Sequence, residues 1–160
     1  MGFHEKHSST RPTVRSMPPR AAAQRMVYAG IIPLCRLGFK QNDLIAAAQH
    51  FAAVVEQPYL NYGDCYAHSA CGLALTYQIQ GRPDEARAIL EAAGTFLLET
   101  GNTTLLPLIQ AYQAEILLRQ GQLAVADRWA AQLDPLSPLQ PVYGFFSPHL
   151  TLIKVWLAQD

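Results

Sequence analysis

Residues 74–81 read Ala-Leu-Thr-Tyr-Gln-Ile-Gln-Gly, and residues 114–121 read Ala-Glu-Ile-Leu-Leu-Arg-Gln-Gly, an offset of 40. The match runs on downstream, where Ala86 and Leu90 correspond to Ala126 and Ala130 at the same offset. An earlier copy, Gln41-Asn42 followed by Ala47 and Phe51, precedes Gln80-Gly81, Ala86 and Leu90 by 39 residues. A partial copy stands at Leu157-Ala158-Gln159-Asp160. Self-similarity at a fixed period of this length marks a supersecondary unit that recurs and stacks on its neighbours.

The punctuation inside the period identifies the unit. Gly81 and Gly121 each follow a helical apolar pattern, where a residue with left-handed backbone is needed to end a helix. Pro83 then falls in the first turn of the next helix, where its missing amide hydrogen costs nothing. Asp84 and Glu85 beside it complement the positive helix N-terminus. Gly101-Asn102 closes the following helix, Thr103 or Thr104 is placed to cap the one after, and Pro107 lies in its first turn. Pro33 kinks the first helix or marks its start. The pattern predicts helices near 21–40, 43–57, 62–80, 83–99, 104–120, 123–133 and 147–159. No segment alternates with period two over the length of a strand, so the expected class is all-α.

Each unit is then a pair of antiparallel helices. Helices that cross closely need a small side chain at the crossing. Ala74 and Ala86 supply it in one unit, Ala114 and Ala126 in the next, while Leu73, Tyr77, Ile89 and Leu90 fill the space around it. One pair cannot bury its apolar stripe alone, so pairs stack.

This spacing resembles the tetratricopeptide repeat. Leu73, Ala74, Tyr77, Ala86, Leu90 and Ala93 match its pattern, whereas Ala70 stands where a large aromatic is preferred, and Gln113 and Leu117 replace leucine and tyrosine in the second copy. The period of about 40 exceeds the usual 34 of that repeat. The resemblance implies a right-handed superhelical stack of antiparallel helix hairpins over residues 21–160, about three hairpins and an unpaired last helix. The phrases Gly81-Arg82-Pro83-Asp84-Glu85-Ala86, Thr100-Gly101-Asn102-Thr103, Arg119-Gln120-Gly121-Gln122-Leu123 and Asp127-Arg128-Trp129-Ala130 are similar to the helical-repeat region of MalT-type, LuxR-family transcriptional regulators. In that family the repeats form a sensor and interaction arm between an ATPase domain and a helix-turn-helix domain. This sequence carries no Gly-x-x-x-x-Gly-Lys-Ser/Thr phosphate loop and no segment after the repeats that could hold a DNA-reading helix pair. The resemblance therefore implies a fragment or a stand-alone relative, acting in transcription regulation or signal transduction.

Composition bounds the alternatives. Half of the 160 residues are hydrophobic and 15% are charged, low against a typical quarter, which suits a chain whose faces are covered by neighbours. Formal charge is zero overall, but residues 1–40 carry a net +6, with Lys6, Arg11, Arg15, Arg20, Arg25, Arg36 and Lys40 against Glu5 alone. Residues 1–20 read as a disordered basic leader, polar and proline-punctuated. A basic arm attracts nucleic acid in principle, but this one lacks the aromatic interleaving and dense Lys/Arg cluster that such binding uses. The longest apolar stretch, residues 26–35, is half the length of a membrane span and contains Pro33. Three cysteines without framework spacing make a reducing cytoplasm the expected compartment.

No constellation carries evident chemistry. Cys65, His68 and Cys71 share a predicted helix at i, i+3 and i+6, but the two cysteines lie about 9 Å apart along its axis, too far for one tetrahedral ion, and no fourth ligand is evident. His4, His7, His50 and His149 have no nucleophile or carboxylate at a recognisable catalytic spacing. Residues 135–148 hold four prolines with Tyr143, Phe145 and Phe146. The stretch reads as a linker whose aromatics cover the adjacent helices, or as a loop that presents them to a partner.

In tetratricopeptide-like stacks the first helix of each hairpin lines the concave face. The resemblance thus places His68, Cys71, Leu75 and Gln78 there from one unit, and Leu108, Ala111, Glu115, Leu118 and Arg119 from the next. Arg36 and Lys154 join them from the flanks. The expected function is a non-catalytic interaction or sensor module that needs no cofactor and binds a protein, a peptide or a neighbouring domain in that groove. The last helix, with Leu150, Ile153, Trp156 and Leu157 as a stripe, is an expected surface for self-association. Two alternatives stand beside this: a basic-arm nucleic-acid binder with a repeat-mediated dimer, and an enzyme whose site the sequence does not reveal. Arm-driven binding would vanish on removal of residues 1–20 and fall steeply with salt.

Overall fold

The computed structural model describes residues 43–60, 63–133 and 148–159. The leader, the expected helix at 21–40 with Pro33 and Arg36, and the proline-rich stretch before residue 148 lie outside the described residues. Among those described, six α-helices and two short 3-10 turns account for the ordered elements and no strand occurs. The all-α expectation holds. The helices are α1 (Leu44–Val55), α2 (Gly63–Ile79), α3 (Pro83–Glu99), α4 (Leu106–Arg119), α5 (Leu123–Ala130) and α6 (Pro148–Leu157).

Local chemistry sets the boundaries. Asp43 starts α1, its carboxylate accepting from the Ala46 amide at 3.1 Å, and so satisfies one of the orphan donors of the first turn. Pro83 and Pro107 sit in the first turns of α3 and α4. Gly81 and Gly121 end α2 and α4 with φ of 75° and 74°. The bonding around them is the same. The Arg82 amide donates to the Tyr77 carbonyl and the Gln122 amide to the Leu117 carbonyl, each at 2.9 Å. This is the six-to-one closure of a Schellman turn.

Two boundaries differ from expectation. Thr103 and Thr104 do not cap α4 through their side chains. They belong to a 3-10 turn, Thr103–Leu105, that runs directly into it, and Leu105 holds the cap position with no side-chain bond. Helix α5 stops at Ala130 rather than near 133, because the next amides, those of Gln132 and Leu133, bond only three residues back, to Trp129 and Ala130. Such tightening is a common way to spend the last carbonyls of a helix.

Sequential helices pack on one another: α1 on α2, α2 on α3, α3 on α4, and α4 on α5. Helices α2 and α4 also touch, and α6 lies against both α4 and α5. Ala74, Ala86, Ala114 and Ala126 are all buried. The main core joins α2, α3 and α4 through Tyr66, Leu75, Leu90, Leu97, Ile109 and Ile116, among others. A second cluster ties α1 to α2 through Ala47, Phe51 and Leu73. A third seats α6 with Leu152 and Val155 against Ala126 and Ala130, bordered by Leu118, Trp129 and Leu133.

Helices α1 and α2 approach each other closely at Gly72. A Cβ added at Gly72 would lie 2.3 Å from Phe51 Cζ, so the Phe51 ring occupies the space that any side chain at this position would need.

Candidate functional site

Helix α2 is enclosed by α1, α3 and α4, and every residue from 69 to 76 is buried. This changes the expected groove. Cys71 and Leu75 are core side chains and present nothing to a partner. On α4, Leu108 and Ala111 are likewise buried. The positions that keep surface are His68 and Gln78 on α2, Leu118 and Arg119 on α4, and Lys154 on α6. Gln78 is tied to the following turn, its Oε1 accepting from Gln120 Nε2 at 2.9 Å.

Glu115 is buried but is no apolar wall. Its Oε1 accepts from Arg119 Nε at 2.9 Å and from Lys154 Nζ at 2.8 Å, with Arg119 Nη2 also at 2.8 Å. The carboxylate side chain is 3% exposed, whereas Arg119 and Lys154 are 41% and 36% exposed. Three donors therefore converge on one oxygen, and the buried Oε2 has no hydrogen-bond partner. A buried carboxylate costs several kcal/mol unless paired. The two cations meet that cost and leave their outer edges to solvent. It also joins α4 to α6 by an ion pair in addition to apolar contact.

The predicted helix does carry Cys65, His68 and Cys71, but their surroundings differ. Burial pushes the Cys71 thiol well up, and burial with Asp64 alongside raises Cys65. A raised thiol pKa suppresses the thiolate that metal binding and nucleophilic chemistry require. Among the described residues no three His, Cys, Asp or Glu side chains converge as metal ligands. His149 opens α6 behind Pro148, and both its ring nitrogens are buried without a hydrogen-bond partner among the described residues. His50 is exposed on α1.

One concavity escaped the sequence reading. A cavity of about 360 Å³ opens beside α1, lined by Ile45, Ala48, Gln49, Ala52, Tyr77, Gln80 and Arg82. The Arg82 guanidinium lies 4.0 Å from the Tyr77 ring centroid and bonds to Glu85. The signal was present in composition: α1 carries no Asp, Glu, Lys or Arg from 44 to 55, while α3 shows Asp84, Glu85, Arg87 and Glu91 outward.

Among the described residues no helix is long and apolar enough to cross a membrane. Comparison with protein-family models, with curated proteins and with solved structures gave no match.

Proposed function

We propose that this chain is a non-catalytic helical-repeat module, a right-handed stack of hairpins akin to the interaction arm of MalT-type, LuxR-family regulators. It binds a protein partner or effector across the first helices of its hairpins. The observation that carries this proposal is the recurrence of one geometry at a spacing of 40: buried alanines at 74 and 114 and at 86 and 126, with matching Schellman turns at Gly81 and Gly121. A repeated unit of this kind builds a continuous side surface rather than a single catalytic pocket. The binding face comprises His68, Gln78, Leu118, Arg119 and Lys154. The partly exposed Arg119 guanidinium favours a partner segment that brings acceptors or acidic groups.

Site-specific photo-cross-linking tests the assignment. A cross-linker placed at Gln78 or Leu118 should join one protein that the same group at the exposed Glu99 does not. That protein, purified, should bind the chain directly, and Arg119→Glu should weaken the binding several-fold. Equal adducts at all three positions, or binding indifferent to Arg119→Glu, would overturn the assignment.

A second contact surface is proposed on α6. Leu150 and Ile153 are each 47% exposed, Trp156 48% and Leu157 69%, and contiguous apolar surface of this kind favours association. Self-association through this stripe is the expected outcome for the isolated chain.

A further inference from the structure

We draw no further inference here: the strongest candidate, the cavity of about 360 Å³ beside α1 lined by Ile45, Ala48, Ala52, Tyr77, Gln80 and Arg82, carries nothing because nothing in the structure shows what covers it.

Discussion

Lys154 Nζ of α6 lies 2.8 Å from Oε1 of Glu115 on α4, and Glu115 is the buried partner. The two residues stand 39 apart in sequence. Arg119, one turn along α4, reaches the same oxygen. The cluster is therefore asymmetric, with a carboxylate that cannot reach water and two cations that can.

That asymmetry dictates how variants should behave. Arg119→Met or Lys154→Met alone leaves Glu115 one cation, and each should cost on the order of 1 kcal/mol. Removing both strands a buried charge and should cost about 3–5 kcal/mol, more than the two single effects added together. Glu115→Gln should be milder than the double variant, because it removes the buried charge itself. Denaturant unfolding of the four variants checks the order. A double variant that is merely additive would mean that Glu115 is not confined as observed.

The crossing alanines give a second expectation. Ala86 is fully buried within the α2–α3–α4 core, and Ala126 is its counterpart under α6. Ala86→Leu and Ala126→Leu should each overpack a crossing and cost about 1–3 kcal/mol. Thermal melts should show a clear fall for both and little change for Ala88→Leu, which lies on the exposed side of α3.

Gly72 provides a third. Gly72→Ala should be destabilising by about 1–3 kcal/mol, despite the better helix propensity of alanine, because the new methyl meets the Phe51 ring. Phe51→Leu should relieve part of that clash. The coupling in a Gly72→Ala/Phe51→Leu cycle should therefore be favourable, and strictly additive effects would contradict the contact.

These residues also show where sequence reading succeeds and fails. Helix type, the turns at Gly81 and Gly121 and the burial of Ala74, Ala86, Ala114 and Ala126 were legible because each depends on local spacing and on residue size. The extent of α3 came out as expected, 83–99. The burial of α2 was not legible. Periodicity marks one buried stripe, but α2 is covered on several sides, so spacing alone could not show that Cys71 and Leu75 are buried. Gly72 was missed because it acts here by close approach inside a helix rather than as punctuation. The Glu115–Arg119 pair follows from i, i+4 spacing, whereas Lys154 joins it only through the docking of α6 on α4.

Thiol chemistry gives a fourth expectation. Burial holds the Cys71 thiol neutral and shielded, while Cys65 is only partly buried. Alkylation of the native protein, read by peptide mass spectrometry, should modify Cys65 well before Cys71, and denaturant should abolish the difference. Equal native rates would mean that α2 opens readily, which its enclosure by three helices opposes.

The last expectation concerns α6. Its inner side is fixed, with Thr151, Leu152 and Val155 buried and Lys154 held by Glu115. Its outer side exposes Leu150, Ile153, Trp156 and Leu157. Each large apolar side chain left wet forgoes roughly 1.5–3 kcal/mol, so association that covers several of them is favoured as protein concentration rises. Sedimentation velocity across a concentration series should show self-association of the 160-residue chain. Ile153→Lys with Trp156→Lys should shift it to monomer without lowering the melting temperature, because neither side chain supports the core. Ile45→Lys, on α1, should leave the sedimentation unchanged. A monomer at every concentration, or association that survives the double lysine variant, would show that the stripe is not the contact.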